Sequence, residues 1–324
     1  MKKYDLRIVF LGTPEFAEAV LRTLVENDYN IVGVVTMPDK PTGRHGSVLS
    51  CSPVKNFAQS CNIPVLQPEK LKAPEFIEEL ASLNADVQIV VAFRMLPEIV
   101  WNMPRFGTIN LHASLLPQYR GAAPINWAII NGETETGVTT FFLQHAIDTG
   151  DIIRQDRIKI DDNDNAGTLH DKLMQLGSDL IMKTVDDIID GRVDRTSQNK
   201  LLEHNTQNIK PAPKIFNDTC RIDWKASAEN IRNFIRGMSP YPAAWTTLIF
   251  QDGRIINLKV FSAELSDSKF DEPGSIHTDG KSFIEVSTGH GCLKLTEIQI
   301  SGKKRMPVNA FLCGYELSDS CSLS

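Results

Sequence analysis

The sequence predicts an α/β fold, a doubly wound and mostly parallel sheet, followed by a small β-barrel. Three observations predict it. As far as Asp190, short continuous apolar runs alternate with amphipathic helical periods, the pattern of strands buried on both faces of a parallel sheet. The segment 192–213 then turns polar and loses its period. Beyond it come short β-rich segments separated by Gly and Asp turns, with a single helix, as in small closed sheets.

Taken in order, Arg7 to Leu11 is an apolar run that ends at Gly12, a buried strand. Thr13-Pro14 is expected to start a helix, threonine as cap and proline as first helical residue, with Phe16, Val20, Leu21 and Leu24 inward. A single glycine at this turn is not the G-x-G-x-x-G that lets a backbone approach a pyrophosphate, which argues against NAD or FAD. Asn30 to Thr36 is the second strand. Pro38 to Ser52 is expected to be a long loop without secondary structure, carrying Lys40, Arg44 and His45 against Asp39; such loops are commonly functional.

Ser52-Pro53 caps a helix to about Cys61, Pro64 to Leu66 is a short strand, and Ala73 to Asn84 is a helix. Asp86 to Ala92 is a buried strand that runs into Phe93-Arg94-Met95-Leu96-Pro97, a loop at a strand's carboxyl end, where open α/β sheets bind ligands. Gly107 to His112 is the next strand, and Pro124 to Asn131 a short helix. Val138 to Leu143 and Asp151 to Ile160 are expected to pair antiparallel. Ala166 to Asp190 is a long amphipathic helix stopped by Gly191. After the polar segment, a helix near Ser227 to Arg236 and strands around 244–250, 255–263, 283–287 and 292–299 suggest a barrel, OB-like being one candidate.

The 324 residues suit two domains: 1–191, a linker at 192–213, and 214–324. With 42% hydrophobic and 23% charged residues the chain reads as soluble and globular. A net charge of -6 supplies no global basic field, so any nucleic-acid contact must use local patches. The start has only a short apolar run, Leu6 to Leu11, too brief for a signal peptide, and no apolar segment approaches the roughly 20 residues of a membrane span. The six cysteines form no C-x-x-C and the seven histidines are scattered, which points to free thiols in a reducing cytoplasm and to no zinc site.

The chemistry concentrates in Thr108-Ile109-Asn110-Leu111-His112, and in the loop from Ser114 to Gly121. In an extended chain Asn110 and His112 project together. An amide donor beside a group that titrates near neutral pH can handle the charge of an acyl-transfer intermediate. Further on, Asp148 and Asp151 place two carboxylates in one turn.

Gly12 to Ala17 (GTPEFA), Asn110-Leu-His112, Ser114-Leu115-Leu116-Pro117, Arg120-Gly121-Ala-Ala-Pro-Ile125, Asp148-Thr-Gly-Asp151 and Gly302-Lys303-Lys304 together resemble the methionyl-tRNA formyltransferase family, over nearly the whole chain. The Asn-x-His and Ser-Leu-Leu-Pro segments are shared with the wider group of 10-formyltetrahydrofolate-using enzymes. The two-domain length and the carboxy-terminal pattern narrow the match. The resemblance implies a Rossmann-like formyltransferase domain and an OB-like tRNA-binding domain. It implies formyl transfer from 10-formyltetrahydrofolate to the α-amine of methionine on initiator tRNA, in translation initiation, by a cytoplasmic monomer that needs no metal.

The family's catalytic residues fall on Asn110, His112 and Asp148. Asn110 and a protonated His112 would stabilise the oxyanion, while Asp148 keeps the imidazole charged and helps remove the amine proton. Folate would enter beside Phe93, Arg94, Met95, Leu96 and Pro97 and against Ser114, Leu115, Leu116 and Pro117. The loop at 93–97 departs from the family's common Ala-Tyr-Gly start, being shorter and charged. Arg44 takes the position of the key arginine in the tRNA-contacting insertion, with Lys40, Lys303 and Lys304 as further tRNA contacts. The rival readings are another formyl-folate enzyme acting on a small amine, and a non-catalytic RNA-binding protein, which would need none of the three catalytic residues.

Overall fold

A computed structural model of the chain describes residues 1–42, 48–204, 208–268 and 272–324. The chain divides into two compact units: Met1–Gly121, Thr136–Ile158 and His170–Pro211 form one, and Ala122–Glu135, Lys159–Leu169 and Ala212–Ser324 the other.

The first unit opens with β1 (Ile8–Gly12), buried along its whole length, α1 (Glu15–Glu26) and β2 (Ile31–Val35). Pro14, not Thr13, is the N-cap of α1, and no side chain bonds its first turn. Thr13 instead accepts a hydrogen bond from the Thr36 hydroxyl at 3.5 Å. The stretch 38–52, expected to lack secondary structure, contains a ribbon: β3 (Lys40–Thr42) pairs antiparallel with β4 (Val48–Ser50). Pro41 biases the residue before it towards extended backbone, and Val48 and Leu49 favour strand, so both arms are preset to pair. Asp39 ties the base of the ribbon to Lys55, and accepts from Gln67 Nε2 at 2.9 Å.

α2 (Pro53–Ser60) begins as its sequence dictates, with Ser52 Oγ accepting from the Lys55 amide at 3.1 Å and Pro53 in the first turn. β5 (Val65–Leu66), α3 (Pro74–Ser82) and β6 (Val87–Val91) follow. A single turn, α4 (Glu98–Trp101), precedes β7 (Thr108–His112). After α5 (Pro124–Ile130), which packs in the second unit, come β8 (Glu135–Phe142), β9 (Ile152–Lys159) and α6 (Ala166–Asp190).

The strand order is β5-β2-β1-β6-β7-β8-β9. β5, β2, β1, β6 and β7 are parallel, and β8 runs antiparallel to β7. The order turns back between β1 and β6, so the carboxyl ends of β1, β6 and β7 border the crevice where such sheets bind ligands. One face of the sheet packs Val9, Leu11, Val35 and Val90 against Phe76, Leu80, Leu96 and Val100. On β7, Leu111 meets α6 so closely that a Cβ added at Gly177 would lie 2.9 Å from Leu111 Cδ2. Alternation along the strand then gives Asn110 and His112 the other face.

The segment 192–213, expected as a linker, holds α7 (Gln198–His204), and Thr196 forms an antiparallel bridge with Ile152. Through Pro211 it packs in the first unit. Its order comes from polar bonds at the edge of the sheet and from Leu201 packed on Leu116, Phe141 and Ile152, a lone apolar contact that leaves no hydrophobic period to read.

In the second unit, α8 (Ala228–Met238) is capped by Ser227 Oγ, which accepts from the Asn230 amide at 3.3 Å. β10 (Ala244–Ile249), β11 (Ile255–Ser266), β12 (Ile276–Thr278), β13 (Ile284–Ser287), β14 (Cys292–Ile300), β15 (Met306–Pro307), α9 (Val308–Leu312) and β16 (Ser322–Leu323) complete the chain. The sheet runs β12-β13-β14-β11-β10-β16, with β15 on β14. The Leu323 amide donates to Gly274 O at 2.8 Å, and Ser275 bridges Ser322. Those contacts nearly close the ring into a barrel around Leu248, Leu258, Val260, Val286, Leu293, Leu295 and Ile298. The polar tail therefore ends as a barrel strand, anchored by buried Leu323.

Candidate active site

β7 ends in two polar side chains with different surroundings. His112 is 6% exposed, and its Nε2 lies 2.8 Å from Tyr119 O. A carbonyl only accepts, so Nε2 carries the proton and donates. That leaves Nδ1 facing Asp148 Oδ2 at 3.8 Å, across a gap too long for a hydrogen bond. Asp148 Oδ2 also accepts from the Gly121 amide at 3.0 Å. Asn110 is half-buried, and its side-chain amide bonds no other described residue. The structure thus brings Asn110, His112 and Asp148 into one place: an open amide beside a nearly buried imidazole and carboxylate.

The loop after β7 is fastened from beneath. Thr139, opposite His112 on β8, donates its hydroxyl to Ser114 O at 2.6 Å and accepts from the Leu116 amide at 3.2 Å. Gln155 Nε2 donates to Leu116 O and Thr139 Oγ1, both at 2.9 Å. Ser114 donates to Gln118 O at 2.7 Å. Ser114, Leu116 and Pro117 are buried and Leu115 is half-buried. These bonds set up Tyr119 at φ +60°, aiming its carbonyl at His112.

Asp148 itself has φ +54°, a left-handed conformation that costs a residue with a Cβ roughly 1 kcal/mol. Gly150 explains the Asp-Thr-Gly pattern: a Cβ there would lie 1.6 Å from Phe142 O. Asp151 lies just before β9, and its carbonyl accepts from the Phe142 amide at 3.0 Å. Arg120 donates from Nε and Nη2 to Gln198 Oε1, at 3.1 and 2.6 Å. Burial pushes the Arg120 guanidinium below its usual range, and the Asp148 charge works against that shift. Thr139, Gln155 and Gln198 were not singled out from the sequence. The first two lie inside strands, the third in the polar segment, and only folding shows what they hold.

The loop after β6 is built otherwise. Arg94 Nη1 donates to Glu69 O at 2.8 Å and Nη2 donates to Pro68 O, while its Nε is buried with no partner among the described residues. Burial lowers the Arg94 pKa. Leu96 joins the core against Val90, Val100 and Phe76, with Phe93 packed on that cluster. Met95 is 71% exposed and Pro97 is half-buried, as N-cap of α4.

Of the basic residues singled out, Lys40 is exposed on β3 and Arg44 lies outside the described residues. Lys303 and Lys304 are exposed in the turn between β14 and β15, with no ion pair to a described residue. Arg305, beside them, pairs with Glu297. No group of three or more His, Cys, Asp or Glu side chains among the described residues could hold a metal ion.

Residues 6–185 match the formyl transferase family, and residues 214–316 match the formyl transferase C-terminal domain. The methionyl-tRNA formyltransferase of Parabacteroides distasonis is 60% identical over 317 residues, 98% of each chain. Among solved structures, WlaRD, a sugar 3N-formyl transferase studied with dTDP and 5-N-formyl-THF, superposes with a TM-score of 0.64. It is 22% identical, covering 92% of this chain and 99% of its own. HypX from Aquifex aeolicus, in complex with tetrahydrofolic acid, gives a TM-score of 0.61 at 18% identity, covering 95% of this chain and 47% of its own. At these identities the two structures speak to the fold alone.

Proposed function

The chain belongs to the methionyl-tRNA formyltransferase family, and from that premise we propose that Asn110, His112 and Asp148 are the residues that carry its formyl transfer. The enzyme formylates the methionine of initiator Met-tRNA for translation initiation. It uses a folate derivative, and the donor in this proposal is 10-formyltetrahydrofolate. The observation that carries the residue assignment is the unbonded Asn110 amide at a strand's carboxyl end, beside the His112 and Asp148 pair. Buried polar groups normally find partners within the protein, so a half-buried amide left open at such a crevice is suited to a polar group of the substrate.

When bound, the folate supplies an activated formyl group. The methionine amine adds its lone pair to the formyl carbon, the C=O π pair moves onto oxygen, and the nitrogen becomes cationic. The amide N–H of Asn110 faces the developing oxyanion. His112 has Nε2 committed to Tyr119, so Nδ1 is the nitrogen that turns to the reaction. Protonated there, it stands between the oxyanion and Asp148, whose carboxylate balances its charge. Donors fixed in advance in a partly dry site are worth about 3 kcal/mol each. Asp148, directly or through a water, takes the proton that the amine loses. Collapse restores the C=O bond and breaks the bond to folate nitrogen, which takes up the proton that Asp148 received, so no net proton is gained or lost.

In this proposal Phe93 to Pro97 and Ser114 to Pro117 wall the folate site. Met95 offers exposed apolar surface, and the second loop acts through its shape and backbone because Ser114 spends its hydroxyl internally. The α/β domain at 1–191 performs the chemistry, the segment 192–213 follows it, and the barrel domain at 214–324 contributes to tRNA binding. Lys40, Arg44, Lys303 and Lys304 contact phosphates, which makes tRNA binding salt-sensitive. The enzyme acts as a cytoplasmic monomer. No helix among the described residues is long and apolar enough to cross a membrane.

One assay tests the reading. Purified protein is mixed with 10-formyltetrahydrofolate and charged initiator Met-tRNA, with free methionine and glycinamide ribonucleotide as alternative acceptors. Formylation of the tRNA-bound methionine alone is the expected result. Preference for a small amine, or tRNA binding without turnover, overturns it.

A further inference from the structure

Gln198 begins α7 and is 1% exposed. Its amide makes every hydrogen bond open to it. Oε1 accepts from Arg120 Nε at 3.1 Å and from Arg120 Nη2 at 2.6 Å. Nε2 donates to Asp148 O at 3.0 Å and to Gly150 O at 2.8 Å. A primary amide has two donors and two acceptor sites, so this one is saturated.

Its partners lie on both sides of Asp148. The two carbonyls belong to the turn that holds Asp148 at φ +54°, a conformation uncommon for a residue with a Cβ. The guanidinium belongs to Arg120, whose neighbour Gly121 donates its amide to Asp148 Oδ2 at 3.0 Å. Another neighbour, Tyr119, supplies the carbonyl that fixes His112 Nε2. A single buried side chain therefore fastens the backbone beneath the carboxylate and the loop that orients both the carboxylate and the imidazole. We propose that Gln198 is a positioning residue for Asp148 and His112, holding the carboxylate oxygen opposite Nδ1 through the Asp148–Gly150 turn and the Arg120–Gly121 loop. This rests on the reading that those two residues act in formyl transfer.

The segment around Gln198 adds a reason to regard it as functional in this sense. α7 already has an apolar anchor in Leu201, packed on Leu116, Phe141 and Ile152, and an edge of the first unit could be closed on that contact without a buried amide. Here the amide reaches two elements that the chain brings together from positions far apart, and both of them end at the reacting groups.

The test uses the full-length enzyme with Gln198→Met and Gln198→Glu, measured by steady-state formylation of Met-tRNA and by thermal melting. Methionine is close in size and removes all four bonds. Glutamate keeps an acceptor for Arg120 and removes the donor to Asp148 and Gly150, so it decides the matter if the methionine variant does not fold. Both variants should lose about 100-fold in kcat, the scale expected of a small misplacement of a reacting group, with KM for tRNA and folate within about threefold. A folded variant whose kcat stays within about threefold of the parent, or whose loss lies only in KM, overturns the proposal. His112→Ala is run in parallel. If it remains active, the reading of the site fails; if it is dead while the Gln198 variants turn over normally, only the positioning role fails.

Discussion

The loop that leaves β7 and the loop that leaves β6 start from neighbouring parallel strands, yet they are held by different means. After β7, Thr139, Gln155 and Ser114 bond the loop's own backbone from below, and its side chains are largely buried. After β6, Arg94 reaches across to Pro68 and Glu69, Leu96 enters the core, and Met95 is left 71% exposed. The first arrangement suits groups that must meet a developing charge, where preorganisation is worth most. The second suits an apolar surface that adjusts to a flat ligand, and methionine adapts well to irregular contacts.

The sharpest way to break this contrast is to remove the groups proposed to meet the reacting atoms. Asn110→Ala and His112→Ala should each lower kcat about 100- to 1000-fold with little change in KM for folate, measured by steady-state formylation. A loss confined to KM would mean that the β7 end recognises substrate and does not stabilise its transition state.

Next in size is Thr139→Val, which removes one hydroxyl and strands Ser114 O and Leu116 N inside the protein. It should cost about 2 kcal/mol of stability, read as a lower melting temperature, and about tenfold in kcat as Tyr119 shifts from His112. A stable Thr139→Val enzyme with full turnover would show that the loop does not depend on its stitching. The smallest effect is expected from Arg94→Ala. It should raise KM for folate about fivefold, the cost of about 1 kcal/mol to order a loosened loop on binding, and leave kcat near that of the parent. A fall in kcat instead would make the two loops alike.

Much of this was legible before the fold was known. The parallel strands announced themselves as unbroken apolar runs, Ser52-Pro53 marked a helix start, and the i, i+2 spacing of Asn110 and His112 put both on one side of a strand. The family likeness then singled out Asp148. What escaped were elements whose order comes from partners distant in sequence. Lys40 to Thr42 and Val48 to Ser50 are short and become strands only by pairing with each other. Ser322 and Leu323 become a strand because β10 has a free edge. The 192–213 segment looks like a linker because its bonds are polar, and polar bonds leave no periodicity.

The sequence by itself determined the fold class and the position of Asn110 and His112 at a strand's carboxyl end. These follow from hydrophobic period and side-chain alternation, which act within a few residues. Only the tertiary structure decided that His112 gives Nε2 to Tyr119 and turns Nδ1 to Asp148, and that Gln198 joins the two loops around them. Hydrogen bonds between distant segments depend on where folding brings their backbones, and no local pattern in the chain records that.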